Sequence, residues 1–441
     1  MRAQRRFRIK YSTLLLVLSL PALAMVDVAF GAMVTLLGNA PLSPSVLLRG
    51  ALVFAIMTFA LRRSVRVGPM ASTLIYVTLL STLPALAVSM FSGSQVLGDL
   101  SHAIKAIYMP LLLGFLTYII QHYRIAEDDV LRFVEYWSYV MTLGFVVPNA
   151  LGIGAQTYGD YAAGTKGFFV AGNDASLALG LSLFVVCYRL FFVKFSILGF
   201  LMYLLGIYAL VSVGSRTSLI LLAGSGLFLF LGMLFFHSRF RHQSLVATLS
   251  RCLASFAFLG AIAYAISFGI AMQSENSYQQ EKLQQLIIGE SPRELLVLTS
   301  SSYLESREAW KTLTGEGQFL YEVGVGEHWG RESRKIAEVD WLDAFGIYGA
   351  PYTTAIYLLI TFIIGVAIKN ILYFRSALSL FLAGASGAYL FHSIIAGHAI
   401  FSPTVSTIFA VCGALILRDR QFRRDAIKKI KHSLKNGNFT H

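Results

Sequence analysis

The sequence has little charge for its length. Only 13% of its 441 residues are Asp, Glu, Lys or Arg, whereas 56% are hydrophobic. Soluble domains carry roughly a quarter charged residues. Apolar runs of about 20 residues recur along the chain, and each can cross a hydrocarbon core roughly 30 Å thick. The composition excludes an ordinary soluble domain and predicts an all-α integral membrane protein, because helices satisfy their own backbone polar groups inside a bilayer.

The chain also lacks the common signatures of metal, nucleotide and nucleophile chemistry. Its three cysteines all lie in apolar runs, which favours buried thiols over a disulfide framework or a metal site. No Walker loop, HExxH, paired His/Cys spacing or GxSxG elbow occurs. His328, His392 and His398 are scattered, and an isolated histidine beside the membrane is more often structural. We therefore expect neither a metal ion nor a cofactor.

The apolar runs predict about twelve transmembrane helices. The predicted spans cover residues 12–37, 44–61, 69–91, 98–120, 131–152, 171–191, 195–214, 216–236, 252–271, 345–368, 376–396 and 401–417. The chain then divides into spans one to nine (1–271), one large loop (272–344), spans ten to twelve (345–417) and a basic tail (418–441).

Positive charge follows the orientation rule of membrane proteins. With both termini in the cytoplasm, the cytoplasmic segments hold 25 of the 36 basic residues, eight of them in the tail. The net charge of +13 is therefore a signal of topology and of contact with anionic lipids. We expect membrane lipids, and no nucleic acid, among the partners.

The loop 272–344 lies on the outer side in this topology. It holds 13 of the 23 acidic residues and seven basic ones. A loop of this length without structure is improbable. The segments "YQQEKLQQLIIGE" and "SYLESREAWKTL" predict short amphipathic helices that lie on the membrane surface or cap a cavity.

Four cations remain on the outer side or at membrane depth. Arg49 and Lys105 lie near the outer ends of spans two and four, where snorkelling explains them readily. Arg216 opens span eight between the hydroxyls of Ser215 and Thr217. A helix N-terminus with a planar guanidinium favours a phosphate-like anion. The alternative is a capped helix end with a snorkelling arginine.

Lys166 belongs to a second segment of this kind, "KGFFVAGN", which leads into span six. The segment combines a cation and glycines with possible N-caps in Asn173 and Asp174. A re-entrant loop packed by its two phenylalanines is the alternative interpretation.

The third segment ends the large loop: "GVGEHWGRESRKIAEVDWLDAFGIYGA". Glu338, Asp340 and Asp343 precede span ten, and a simple preference of carboxylates for a helix N-terminus could explain them. Arg307, earlier in the loop, adds a cation beside Glu305, for which surface ion pairing is the alternative.

These three segments carry a family resemblance. "KGFFVAGN", "GSRTSL" and the pattern "SREAW…GVG…EVDWLDAFGIYG" resemble, in the same order, segments of the O-antigen polymerase and O-antigen ligase superfamily of bacterial membrane glycosyltransferases. The similarity extends over roughly residues 130–370. The large loop after span nine also agrees with that superfamily.

The resemblance implies a GT-C-like, metal-independent transferase that uses an undecaprenyl diphosphate-linked glycan as donor. By resemblance, Arg216 and Arg307 bind the diphosphate and stabilise its developing charge. The other substrate-binding candidates are Lys166, Asn173, Ser215, Thr217, Arg49, Gly324 and Gly326. The catalytic set further includes Glu338, Asp340 and Asp343, which compete for the role of general base.

The polymerase branch is favoured by one departure from the ligase pattern. Ligases carry a histidine about eleven residues before the first glycine of Gly-x-x-Gly, and Lys335 occupies that position here. We therefore expect polymerisation of lipid-linked repeat units into an O-antigen, capsule or exopolysaccharide. The site would face the periplasm or cell exterior from a bacterial inner membrane. By resemblance, a chain-length regulator protein commonly accompanies such polymerases.

Two alternatives stay open at this point. A ligase would move the glycan to a lipid A core or another acceptor from the same donor site. A transporter of lipid-linked oligosaccharide belongs to another class, in which internal repeats and ionisable residues at the bilayer midplane are usual. The sequence shows no repeat, and Asp27 is one of few charges deep in a span.

Overall fold

A computed structural model describes residues 21–38, 44–62, 68–93, 95–158, 163–236, 259–260, 262–263, 292–330 and 336–418. The elements are α1 (Pro21–Leu37), α2 (Pro44–Arg62), α3 (Pro69–Leu80), α4 (Thr82–Phe91), α5 (Val96–His122), α6 (Glu127–Ala150), β1 (Ala155–Tyr158), β2 (Ala163–Gly167), α7 (Gly172–Tyr188), a π-helical turn (Arg189–Val193), α8 (Ile197–Val213), α9 (Arg216–Phe235), α10 (Pro292–Ser306), α11 (Ala309–Thr314), α12 (Gln318–His328), α13 (Asp340–Phe374), α14 (Ala377–Ile395) and α15 (Pro403–Arg418).

The protein is mostly helical, and its long helices are apolar. Among the described residues, seven helices are long and apolar enough to cross a membrane: α3 with α4, α5, α6, α7 with its π-helical turn, α9, α13 and α14. Four shorter apolar helices, α1, α2, α8 and α15, accompany them. The predicted all-α multi-pass membrane architecture is confirmed at this level. Each predicted span except 252–271 coincides with an apolar helix. That span lies outside the described residues apart from four of them, so the count of twelve stays a prediction.

The helix α13 begins at Asp340, five residues earlier than the sequence indicated. Carboxylates at 340 and 343 favour an early start because they interact well with the N-terminal end of the helix dipole. The helix is broken at Gly349, which has φ 79°, and Pro351 provides no N–H for the carbonyl four residues earlier. This break is the point at which the helices of the large loop dock.

The helices α7, α9 and α14 pack closely through glycines. Gly384 of α14 lies against the rings of Phe184 in α7 and Phe228 in α9. Gly180 of α7 lies against Leu221 of α9. Small residues let membrane helices approach one another, and van der Waals packing then holds them together. These three helices form the centre of the bundle.

Arg49 joins three helices near one end of the bundle. Its guanidinium donates to both carboxylate oxygens of Asp27 in α1, at 2.9 and 2.5 Å, and to the Thr404 hydroxyl of α15 at 3.0 Å. Arg49 is only 6% exposed. The prediction that Arg49 snorkels is therefore wrong, because an acidic partner on a neighbouring helix holds the guanidinium inside the protein. This geometry does not support the predicted role of Arg49 in substrate binding.

Arg49→Ala is expected to lower the thermal unfolding temperature in detergent. It leaves the half-buried Asp27 without its cation, and breaking one side of a fully buried ion pair costs about 3–5 kcal/mol, which is an upper bound here. The double variant Asp27→Asn with Arg49→Gln removes both charges and should regain part of that loss. An equal unfolding temperature for wild type and Arg49→Ala would contradict the structural role.

A second buried ion cluster lies at the opposite end of the bundle. Arg189, in the π-helical turn after α7, pairs with Glu135 and with Asp128 (3.1 Å), both on α6. Tyr139 donates to Glu135 at 2.6 Å. This cluster ties α6 to the end of α7, away from the three segments that the sequence singled out.

Candidate functional site

The two segments around Lys166 and Arg216 meet in the structure. The strands β1 and β2 form an antiparallel hairpin, which the all-α expectation did not include. Gly164 of β2 has φ 68°, and a Cβ there would overlap the Val213 carbonyl oxygen at the end of α8. Gly214, which follows, lies beside Gly164. Glycine at position 164 is therefore required for the hairpin to pack this closely against the turn that precedes α9.

The N-terminus of α9 is capped by its own hydroxyls. The Ser215 hydroxyl accepts a hydrogen bond from the Ser218 N–H at 3.2 Å and lies 2.6 Å from the Ser218 hydroxyl. Ser215 is buried and Thr217 half-buried. Ser215 therefore caps the helix. A capped helix end was the alternative to an anion site at this position. The backbone of Arg216 begins the helix, and its side chain lies outside the described part of the chain.

The segment from Lys166 to Asn173 is packed by one of its phenylalanines, as the re-entrant-loop interpretation anticipated. Phe169 is buried, and its ring centroid lies 4.5 Å from that of Phe145 in α6. The half-buried Lys166 side chain lies over Gly172, where a Cβ would approach it to 2.8 Å. Asn173 is exposed at the first turn of α7. Lys166 and Asn173 thus lie beside the start of α7.

The contacts of Gly384 show how far three helix ends lie along the bundle from one shared level. Gly384, Phe184 and Phe228 share one level in α14, α7 and α9. From that level, the start of α7, the start of α9 and the end of α14 lie eleven or twelve residues away, or about 18 Å at 1.5 Å per residue. These three helix ends therefore reach a similar depth. We call this end of the bundle, with the described residues 150–158, 163–172, 214–215, 307–330, 336–339 and 396–402, the loop end.

The segment 396–402, between α14 and α15, is held by a buried carboxylate. Asp340, 1% exposed, accepts hydrogen bonds from the backbone N–H groups of Ala399 at 2.8 Å and Ile400 at 2.9 Å. Its carboxylate also bonds the His398 backbone. Hydrogen bonds to an ionised group are stronger than neutral ones. Asp340 thus positions the whole segment, which we call the connecting loop.

Two further carboxylates from other spans hold the same region. Asp174 of α7 hydrogen-bonds with the Ser402 side chain. Asp27 of α1 accepts from the Thr404 hydroxyl at 3.0 Å, one residue into α15. Three carboxylates, widely separated in sequence, therefore converge on one short stretch of chain.

His398 lies at the centre of this arrangement. Its φ is 65°, a left-handed conformation that few residues with a side chain adopt. It is half-buried and interacts electrostatically with both Asp340 and Asp174. His398 could not be separated from the other scattered histidines by sequence, because its acidic neighbours are distant in the chain.

Lys105 and His102 of α5 border the same cluster. Lys105 is half-buried and interacts electrostatically with Asp174 and with His102. Snorkelling of this lysine stays a prediction, since a half-buried lysine is compatible with it. His102 lies 2.8 Å from the Tyr348 hydroxyl, and its ring centroid lies 4.6 Å from that of Phe401. The loop end therefore gathers a lysine, two histidines and carboxylates of two helices.

Arg307 occupies a different position, at the break in α13. Its guanidinium donates to the carbonyl oxygens of Gly346 at 3.1 Å and Phe345 at 3.3 Å, and it lies over the Phe345 ring. The Gly317 N–H bonds to the Ile347 carbonyl at 3.1 Å. Arg307 and Gly317 of the large loop thus donate hydrogen bonds to three carbonyl oxygens next to the break in α13. The surface ion pair offered as an alternative for Arg307 is not the arrangement here.

Burial and charge act in opposite directions on Arg307. Burial lowers the pKa of its guanidinium, and Glu316 opposes that shift. Glu316 is buried and accepts from the Tyr303 hydroxyl at 3.0 Å, and burial followed by this carboxylate raises the pKa of Tyr303. Arg307 and Tyr303 therefore keep their ordinary charge states near neutral pH.

Arg307→Ala is expected to loosen the large loop from α13. It removes a charged donor from two carbonyls, and such a loss costs roughly 2 kcal/mol. We expect faster protease cleavage and faster amide exchange in residues 308–317. Arg307→Lys, which keeps the charge without the planar fork, should be intermediate. Unchanged exchange in Arg307→Ala would rule out this anchoring role.

The glycines predicted to bind substrate in α12 have packing roles. A Cβ at Gly324 would overlap the Tyr303 ring, and Gly326 is buried. The helix α12 is itself anchored by Asp99 of α5, which accepts from the Phe319 N–H at 2.8 Å. Gly324 and Gly326 therefore allow close helix packing, because a side chain at 324 would displace a ring.

Asp343 and Glu338 support the start of α13. Asp343, 3% exposed, accepts from the Ala337 N–H at 2.9 Å. Glu338 has φ 57°, and a Cβ on Gly397 would overlap its carbonyl oxygen. The preference of carboxylates for a helix N-terminus therefore accounts for Asp343, as the alternative interpretation stated.

No known protein family and no curated protein sequence matches the chain significantly. Among the described residues, no group of three or more His, Cys, Asp and Glu side chains could hold a metal ion.

Proposed function

We propose that the protein polymerises undecaprenyl diphosphate-linked oligosaccharide repeat units into a bacterial surface polysaccharide. The observation that carries the proposal is the meeting of two predicted segments at one end of an apolar helical bundle. The hairpin that contains Lys166 sits on the turn before Arg216, and the starts of α7 and α9 reach the same depth. The polar connecting loop lies at that end as well.

The role proposed for Arg216 is electrostatic stabilisation of the leaving diphosphate. A glycan leaves the lipid diphosphate as the bond from its anomeric carbon to oxygen breaks, and negative charge grows on the diphosphate. A helix N-terminus and a guanidinium both favour that charge. Groups arranged in advance for a developing charge contribute a large share of catalysis. Arg216 at the start of α9 is the residue we assign to this task, with Lys166 as a helper.

The proposed orientation has twelve spans in a GT-C-like arrangement, with both termini in the cytoplasm of a bacterium. The distribution of basic residues supports it, since 25 of the 36 lie in the predicted cytoplasmic segments. The loop end then faces the periplasm, where lipid-linked repeat units are exposed. A chain-length regulator protein remains a proposed partner.

The test is reconstitution of the purified protein in lipid nanodiscs with an undecaprenyl diphosphate-linked oligosaccharide. We expect a ladder of lipid-linked glycans on a gel, because each transfer lengthens a chain that stays on its lipid. A ligase would yield one product on a different carrier, and only when that acceptor is added. A transporter would yield no new glycosidic bond and would move intact donor across a sealed vesicle.

A further inference from the structure

The connecting loop displays one titratable side chain in an unusual conformation. His398 has φ 65° and follows Gly397, which has φ 67°. A left-handed residue other than glycine costs free energy and persists only where its surroundings hold it. Here Asp340 bonds three successive backbone N–H groups from residue 398 onward, and Gly397 lies against the Glu338 carbonyl.

We propose that His398 is the general base of the transfer and accepts the proton of the acceptor hydroxyl. The proposal rests on the proposed function, and it names a residue that the family resemblance does not supply. Asp174 and Asp340, which lie on two different helices, flank the histidine and interact with it electrostatically. A carboxylate beside a histidine orients the imidazole and stabilises the imidazolium that forms.

Two of the carboxylates that the sequence offered as a base are less well placed. Both Asp340 and Asp343 are buried and already accept backbone N–H groups, so neither is free to face an acceptor sugar. His398 is half-buried and lies on the loop itself.

The step balances without a metal or another reactant. The acceptor oxygen attacks the anomeric carbon and forms the new glycosidic bond. The bond from that carbon to the diphosphate oxygen breaks, and its electron pair leaves with the lipid diphosphate. The proton of the acceptor hydroxyl moves to the neutral imidazole of His398, which later releases it to water.

Charged groups of three helices lie near His398. The histidine interacts electrostatically with Asp340 at the start of α13 and with Asp174 of α7, and Lys105 of α5 interacts in turn with Asp174.

The variant His398→Asn tests this role most cleanly. Asparagine tolerates the left-handed conformation, so the loop should keep its shape while the proton acceptor is lost. We expect kcat for chain growth to fall about 100-fold or more, the usual range for a general base. The KM for the undecaprenyl diphosphate-linked donor should change less than threefold.

The matched control is His328→Asn, an exposed histidine on α12 whose ring bonds the Ser302 hydroxyl. It should grow chains like the wild type. Chain growth by His398→Asn within threefold of wild type would overturn the assignment. If the wild type itself forms no product, the proposed function fails instead, so the two failures are distinguishable. His398→Gly, compatible with the same backbone, must lose activity as well.

Discussion

Arg216→Ala is expected to abolish growth of the lipid-linked glycan while the protein still inserts and folds. Removal of one charge-stabilising donor from a transferase site costs about 100-fold or more in kcat. The backbone of Arg216 begins α9, and the N-terminus of a helix carries a partial positive charge that favours an anion. The cap hydroxyl of Ser215 and the hairpin contact at Gly164 stay in place, so the fold should persist.

The measurement compares rates of chain growth for purified variants at equal protein concentration. Arg216→Lys keeps a charge but loses the planar fork that matches phosphate oxygens, so it should retain a small part of the activity. Arg132→Ala, which removes an exposed cation paired with Asp128 at the opposite end, is the matched control and should behave as wild type. Normal chain growth by Arg216→Ala would contradict the assignment of Arg216 to the transferase site.

Asp340→Ala is expected to cause the second large effect, on both stability and activity. The substitution strips the connecting loop of its buried acceptor, and each buried N–H left unpaired costs about 1–3 kcal/mol. Displacement of His398 by about 1 Å would be enough to lower the rate roughly 100-fold. The unfolding temperature in detergent and kcat should therefore fall together.

Asp340→Asn separates a positioning role from a catalytic one. The amide keeps one acceptor oxygen for the loop N–H groups but cannot act as a base. If Asp340 positions the loop, the Asn variant should retain clearly more activity than the Ala variant. If instead both are equally inactive while Asp340→Asn keeps its unfolding temperature, Asp340 itself would be the proton acceptor. Asp129→Asn, a carboxylate of α6 at the opposite end, serves as the control.

Hydrophobicity along the chain predicted the helical fold well. Apolar runs depend only on neighbouring residues, so most spans can be read from local composition, although α13 begins at Asp340, five residues before the predicted span. The segments around Lys166 and Arg216 were also predicted to share a face of the membrane. Their contact through Gly164 was not predictable, because the hairpin that makes it has no strong hydrophobic signal.

The pairing of charges could not be read from the sequence. Arg49 looked like a snorkelling residue because its partner, Asp27, is 22 positions away on another helix. His398 looked structural because Asp340 and Asp174 approach it only after the helices pack. The one local signal was a polar residue after a glycine in a short connection between apolar runs. Side-chain partners across a helical bundle depend on packing, which periodicity does not specify.

The most direct measurement counts undecaprenyl diphosphate released against glycosidic bonds formed by the purified wild type in nanodiscs. If the loop end is a transferase site, one lipid diphosphate should appear for each bond, with no metal added and with products of increasing chain length. Both quantities should vanish together in Arg216→Ala. Glycan elongation without release of lipid diphosphate, or no elongation with any such donor while sealed vesicles transport it intact, would contradict a lipid diphosphate-dependent transferase.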